Sequence, residues 1–252
     1  MGHLLSKSKY IRGLQCERAL WLDVHEPRLA RYTAEQMRRF DRGRDFEYAF
    51  KSRFPDGIDL SAELGRQVDS YSEWTAELLD GVGTRRAASA DDTVADSGRG
   101  TPRPYGVVLF EAGFQYDDVL VLADVVCQRE DGSLDIYEVK SGTTLSDTYR
   151  RDAALQHYVI SHCRRIHSFS IVYNVMDGEN GINGQDGPFA IVDLTAELAA
   201  EGDRIAANIA GMKTIVRATA EPDTPTGQHC LSPYACPYQH HCQQGVRQLA
   251  LF

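Results

Sequence analysis

No apolar run in the chain approaches the roughly 18 residues needed to span a bilayer. The opening nine residues, Met1 to Lys9, have neither the apolar core nor the small-residue cleavage site of a secretory signal, so a cytoplasmic protein without membrane contact is expected. Walker A loop, dinucleotide fingerprint and Ser-His-Asp order are all missing. Without a P-loop the chain is not itself a nucleotide-driven helicase motor, although it can serve as the partner of one. No internal repeat or heptad pattern suggests a solenoid or coiled coil. Net positive charge is lacking as well. With 27 Lys and Arg against 36 Asp and Glu the balance is -9, which argues against a protein that coats nucleic acid indiscriminately.

What is present is ordinary in bulk and uneven in detail. The 252 residues, 42% hydrophobic and 25% charged, suit one large soluble domain or one domain with an appended lobe. Basic residues gather at the start: residues 1–54 hold twelve (Lys7, Lys9, Arg12, Arg18, Arg28, Arg31, Arg38, Arg39, Arg42, Arg44, Lys51, Arg53) against seven acids. Such a cluster serves equally well as a solvated helical face or a phosphate track. Six cysteines, at 16, 127, 163, 230, 236 and 242, read in a reducing compartment as metal ligands or buried thiols rather than disulfides.

Periodicity and turn residues outline the elements. A capped helix is expected over 5–22, with Ser6 or Ser8 as cap and Tyr10, Ile11, Leu14, Leu20 and Trp21 as its apolar face. Further helices are expected over 33–54 and 70–79, then a mobile loop over 81–104, rich in Gly, Ser, Asp, Thr and Arg. Strands follow at 105–115, 119–128 and 134–140, separated by turns at 116–118 and 129–133. A helix over 147–163, strands at 169–174 and 189–194, and one long helix over 195–212 complete the body. The Pro- and Cys-rich tail from Glu221 has little regular pattern. The order of helix, hairpin strands, helix and strand is that of an α/β sandwich. Tyr10, Trp21, Tyr48 and Trp74 can stack on bases, but aromatics on helices are mostly core, and no function is assigned to them. His157, His162 and His167 have irregular spacing and no paired nucleophile.

Chemistry concentrates between Leu122 and Gly142. Two strands joined by a tight turn place Asp124 beside Glu138, and strand alternation puts Glu138 and Lys140 on one face with Val139 on the other. Carboxylates so placed bind Mg²⁺ or Mn²⁺, hard cations that favour oxygen. Such an ion activates water and stabilises attacking and leaving oxygens, while an adjacent ammonium offsets charge developing on a phosphoryl group. The plain alternative is a surface ion pair on a sheet. Glu111, an acid within an apolar strand, either approaches the same point or faces solvent. In the tail, Cys230, Cys236 and Cys242 stand at equal short intervals. A four-ligand site needs one more thiol, from Cys16, Cys127 or Cys163, and soft thiolates suit an iron–sulfur cluster or Zn²⁺ alike, with His229, His240 and His241 nearby.

The run from Leu122 to Gly142 resembles the motif of the PD-(D/E)XK nuclease superfamily, with Asp124 as its first acid and Glu138-Val139-Lys140 as its E-x-K. Ala123 stands where a proline is usual. The RecB-like branch also carries a Gln on the following helix, the place of Gln156, and a metal-binding His four residues after a Gly on an early helix. Here Gly43 is followed at that spacing by Glu47, so a carboxylate replaces the imidazole, and Glu47 is either a ligand or an ordinary surface acid. One early Cys plus three late ones resembles the iron–sulfur clamp of several RecB-like nucleases, among them AddB-type nuclease domains and CRISPR-associated adaptation nucleases. The first two tail cysteines are more widely spaced here than in some of those relatives.

The resemblance implies a restriction-endonuclease-like α/β core over 30–215, a mixed sheet flanked by helices. It implies a first helical segment over 1–29 and a tail over 216–252 tied together by a [4Fe–4S] cluster, or by Zn²⁺, on Cys16, Cys230, Cys236 and Cys242. Cys127 and Cys163 are expected to be buried thiols. Asp124 and Glu138, with the Val139 carbonyl and Glu111 or Glu47, would bind one or two Mg²⁺ or Mn²⁺ ions. Lys140 would assist the attacking water and Gln156 would organise the site. The implied activity is a metal-dependent DNA nuclease, an exonuclease on single strands or free ends, acting in repair, recombination or defence, with a helicase or defence-system protein as partner. A restriction-like endonuclease component and a non-catalytic DNA-binding or scaffold protein of the same fold are the alternatives.

Overall fold

A computed structural model describes residues 4–65, 67, 70–81, 105–175 and 188–243, the side chains of 39–42 excepted. The expected loop over 81–104 lies outside these residues from 82 onward.

The centre is a mixed sheet in the order β2-β3-β4-β5-β6-β7. Strands β3 (Val107–Tyr116), β4 (Val119–Gln128) and β5 (Leu134–Lys140) form an antiparallel meander. Helix α6 (Asp147–Cys163) then crosses over to β6 (Ile166–Asn174), which runs parallel to β5, and β7 (Phe189–Asp193) closes that edge antiparallel. At the other edge β2 (Ile58–Asp59) lies parallel to β3, while β1 (Leu5–Ser6) runs parallel to the first residues of β4. A two-residue turn joins β3 to β4, with Asp117 and Asp118 both at positive φ (50° and 60°), the conformation that matches strand twist in a tight hairpin. Lys213 pairs with both aspartates and steadies this unusual choice.

Helices cover both faces. On one, α1 (Lys7–Gln15), α2 (Glu17–His25), α5 (Tyr71–Leu79), α6 and α8 (Gly202–Arg217) enclose the larger core, in which Tyr10, Leu20, Leu109, Ile136, Leu155 and Ile209 are wholly buried. On the other, α3 (Ala34–Lys51) lays Phe46 and Phe50 over Val125, Cys127, Val139 and Val172. Thr33 and Gln36 form a capping box at the start of α3, a device that contributes about 1 kcal/mol. Ser146 caps α6 by accepting from the Tyr149 N–H. Both caps mark boundaries that the sequence announces.

Several expectations need correction. The single helix over 5–22 is broken at Cys16, whose extended backbone (φ -165°, ψ 124°) ends α1 and begins α2. The long helix from Thr195 is two, α7 (Thr195–Ala199) and α8, the latter reaching Arg217. The short β1, β2 and α4 (Leu60–Leu64) carry too few residues to show a period. The tail contains a 3₁₀ turn at Gln228–Cys230 and helical residues 239–243. Of the helical aromatics, Tyr10 is core, whereas Tyr48 is 77% exposed. Cys127 is fully buried as expected; Cys163 is half-buried and donates to the Gln115 carbonyl at 3.5 Å.

Helix α5 presses closely on β3. A Cβ added to Gly113 would meet Tyr71 Cβ at 2.5 Å, Tyr71 C at 2.8 Å and Ser72 N at 2.9 Å. Two of these atoms are backbone and cannot rotate away. Gly113→Ala is therefore expected to destabilise the chain by about 1–3 kcal/mol, read as a lower chemical-denaturation midpoint; an unchanged midpoint would show that α5 yields easily.

Candidate functional site

The β3–β4 hairpin carries a fault that creates the site. In β3, Leu109 faces the larger core and Phe110 the smaller, yet Ala112 and Phe114 face the larger again. In β4, Val119, Val121 and Ala123 face the larger core, whereas Val125 and Cys127 face the smaller. Strict alternation forbids both patterns. Each strand changes phase by one residue, at Glu111 and at Asp124. Phe110 pairs with Val125 and Ala112 with Ala123, so the two acids stand opposite each other on the rung between. Glu111 has φ +54°, a left-handed conformation costly for a residue with a Cβ.

Glu47, from α3, completes the group. One ligand oxygen from each of Glu47, Glu111 and Asp124 lies within 4.8 Å of the others, and no other His, Cys, Asp or Glu trio among the described residues is as tight. Lys51, one turn beyond Glu47, bonds Oε1 of Glu47 at 2.5 Å and Oε1 of Glu111 at 2.7 Å. Each of these carboxyl groups has a second oxygen to offer. The Val139 N–H donates to Asp124 Oδ2 at 2.7 Å and fixes its orientation.

A second set of charges adjoins the first. Glu138, fully buried, accepts at Oε1 from Lys140 Nζ at 2.5 Å and from Lys7 Nζ at 2.9 Å. Lys140 Nζ also donates to Asp152 Oδ2 at 2.5 Å. Lys7 Nζ stands 4.0 Å from Asp124 Oδ1. Gln156, one turn beyond Asp152 on α6, is fully buried, and both of its amide atoms lack a protein partner, as do Glu138 Oε2 and Asp152 Oδ1. Native interiors seldom leave polar atoms so unless water or an ion completes them. The site therefore suits an additional polar guest.

The charge states follow from this packing. Burial, then the neighbouring Glu138, pushes the Asp124 carboxyl well above the usual range. Burial also raises Glu111, against the pull of Lys51. Glu138 moves the other way: burial opposes its charge, but the ammonium groups of Lys140 and Lys7 outweigh burial and hold it well below the usual range. Burial likewise works against the charge on Lys140, and Asp152 and Glu138 overcome it. Lys7 stays charged for the same reason, through Glu138 and Asp152.

The residues singled out in the sequence thus divide. Asp124, Glu111 and Glu47 converge as a trio; Glu138 and Lys140 form the adjoining ion pair, with the Val139 N–H bonded to Asp124 between them, and Gln156 is buried on α6 one turn beyond Asp152. Three further participants lie outside the acidic hairpin motif, two of them (Lys7 and Lys51) members of the early basic cluster. Asp152 carried a signal, lying one helical turn before Gln156 on the same face, and Lys51 follows Glu47 by four residues. Nothing local in the sequence pairs Lys7 with Glu138, 131 residues away. Four members of the early basic cluster, Lys7, Arg18, Arg28 and Lys51, are paired with carboxylates.

At the far end of α1 the tail docks on the first two helices. Gln15 Nε2 donates to the carbonyls of His229 (2.6 Å) and Tyr234 (2.8 Å), Trp21 Nε1 to that of Ala218 (2.9 Å), and the Tyr238 hydroxyl to Asp23 Oδ1 (2.7 Å). Cys16, Cys236 and Cys242 share one small apolar cluster with Ala19, Leu22 and Tyr238. Cys230 adjoins them, its carbonyl accepting from the Cys236 N–H at 2.8 Å. All four are free thiols. Burial raises Cys16, Cys236 and Cys242, while Arg18 beside Cys16 and Cys242, and Arg12 beside Cys236, favour the thiolate.

No protein-family model and no curated protein matches the chain. The crystal structure of SSO0001 aligns with 84% of this chain and 98% of its own at 11% identity and a TM-score of 0.31, a likeness too loose to argue from. Among the described residues no helix is long and apolar enough to cross a membrane.

Proposed function

We propose that the chain is a divalent-metal-dependent deoxyribonuclease of the RecB-like PD-(D/E)XK kind, acting on single strands or free ends of DNA. The observation that carries this reading is the trio of Glu47, Glu111 and Asp124, closed to within 4.8 Å, directly beside the Glu138–Lys140 pair. The order of α3, the β3–β5 meander, α6 and parallel β6 accords with a restriction-endonuclease-like core.

In this reading Glu47, Glu111 and Asp124 hold Mg²⁺ or Mn²⁺, with the Val139 carbonyl as a further candidate ligand. When bound, such an ion acidifies water and offsets charge on the scissile phosphate. Lys140, held between Glu138 and Asp152, presents an ammonium to the attacking water or the phosphoryl oxygens, and Gln156 orients the same water. The cysteines at 16, 230, 236 and 242 would carry a [4Fe–4S] cluster that ties the first helices to the tail. Arg18 beside Cys16 and Cys242, and Arg12 beside Cys236, would offset part of the charge of bound thiolates. Repair, recombination or defence against foreign DNA, beside a helicase or defence-system protein, is the setting that suits such an enzyme.

The test is cleavage of end-labelled single-stranded DNA by anaerobically purified protein with Mn²⁺, Mg²⁺ or EDTA. Cutting is expected with either ion, not with EDTA, and Lys140→Ala should reduce it by about 100-fold or more while circular dichroism stays unchanged. Equal cutting by variant and parent would remove the centre from this hairpin. No cutting by folded, cluster-loaded protein would favour a non-catalytic DNA-binding role.

A further inference from the structure

We propose that the Lys7 ammonium occupies the place of a second metal ion between Asp124 and Glu138, which makes this a one-ion centre; the inference rests on the nuclease reading above. In two-ion phosphodiesterases the ions stand about 3.5–4 Å apart and share carboxylates. Asp124 is placed for such sharing. On one side it meets Glu47 and Glu111; on the other, Lys7 Nζ lies 4.0 Å from its Oδ1 and 2.9 Å from Glu138 Oε1. A cation already bridges the first acid and the glutamate of the E-x-K.

Lys7 is held there by the sheet. Leu5 and Ser6 pair in register with Val119 and Leu120, the N–H groups of Leu4 and Leu5 donate to the Asp118 carbonyl, and Ser6 caps the helix that Lys7 begins. Strand β4 therefore positions Lys7 and Asp124 together, and the Lys7 side chain is only 24% exposed. This is not the setting of a freely moving surface lysine.

Charge counting agrees. Five carboxylates (Glu47, Glu111, Asp124, Glu138, Asp152) and three ammonium groups (Lys7, Lys51, Lys140) form the connected set. Their formal sum is -2, which one divalent ion neutralises. Two ions would leave an excess of +2 in a largely buried site. The ammonium also has protons to donate beyond the one given to Glu138, so it can hydrogen-bond a non-bridging oxygen of the scissile phosphate, as a point charge that needs no loading from solution.

The experiment counts bound Mn²⁺ by elemental analysis after equilibrium dialysis of the full-length parent, Lys7→Ala and Lys7→Arg, with Mn²⁺ electron paramagnetic resonance on the same samples. One Mn²⁺ per chain is expected for the parent and for Lys7→Arg. Lys7→Ala, which removes the charge and opens space, should bind two, with the broadened spectrum of a coupled pair and a cleavage rate that depends on Mn²⁺ to second rather than first order. Two ions on the parent would overturn the assignment of Lys7 and leave the nuclease intact, and that result can be read even where Lys7→Ala fails to fold. One ion on both parent and Lys7→Ala would overturn it equally. No Mn²⁺ on the parent would overturn the metal-dependent reading itself.

Discussion

Replacing Asp124 by Asn is expected to lower metal-dependent DNA cleavage by more than about 100-fold, beyond the 10–100-fold typical of losing a group that merely supports a ligand. The substitution is a clean one. Asn retains an oxygen to accept the Val139 N–H, now bonded to Oδ2 at 2.7 Å, and loses the charged oxygen that faces Lys7. Its effect on stability should have the opposite sign. The folded Asp124 carboxyl titrates well above its unfolded range, because burial and the nearby Glu138 disfavour its charge. A carboxyl raised in this way contributes stability in acid, below its unfolded value of about 3.9, and that contribution is lost as pH rises through the folded value. At pH 8 in EDTA, Asp124→Asn should therefore melt no lower than the parent. Adding Mn²⁺ or Mg²⁺ reverses the ranking, since the ion takes the place of the proton and satisfies the charge. For the parent the cation-induced rise in melting temperature should grow between pH 5 and pH 8. At a hundred times the dissociation constant it corresponds to about 2.7 kcal/mol, or roughly 5–10 °C for a chain of this size. The variant should show almost none of it. Equal cation shifts in the two proteins, measured by scanning calorimetry, would exclude Asp124 from the metal site.

Loss of a tail cysteine is the other large effect expected. If the four thiols hold the proposed cluster, the anaerobically purified parent should be brown and contain iron, and Cys236→Ser should lack both and melt lower by about 10 °C. The reasoning is topological. Cys16 lies at the junction of α1 and α2 and the other three thiols in the tail, so a shared cluster closes a loop of nearly the whole described chain and removes freedom from the unfolded state. Binding energy at a site that exists only in the folded chain becomes folding energy. Direct hydrogen bonds, such as those of Gln15 to the His229 and Tyr234 carbonyls, also join these segments, so the variant should still fold. Because Lys7 begins the helix that Cys16 ends, its cleavage should decline as well. A variant with parental iron content would take Cys236 out of the ligand set. Tightly bound zinc in the parent, with no iron, would replace the cluster by a different metal on the same thiols.

The elements that sequence alone resolves here are those with local causes. Strand β4 over Val119–Gln128, strand β5 over Leu134–Lys140 and helix α6 over Asp147–Cys163 are each bounded by turn residues or a side-chain cap, and period and capping are properties of neighbouring residues. The same local logic marks Asp124, Glu138 and Lys140 as a charged group on adjoining strands. Tertiary structure decided what depends on distant partners. Cys16 interrupts an otherwise continuous helical pattern where the first helices meet the tail, and no nearby residue announces the break. The phase change at Glu111 and Asp124 needs two strands faulted on one rung, with helix α3 packed over the far face. It turns Glu111 from an acid of undecided direction into the partner of Asp124 and Glu47. Lys7, Lys51 and Asp152 enter by the same route, since buried carboxylates must find compensating groups wherever the fold can bring them. Local sequence thus specifies the hairpin and its charges, while the packing of helices from both ends of the chain determines which charges face one another, because a buried ion is stabilised by proximity in space and is indifferent to distance along the chain.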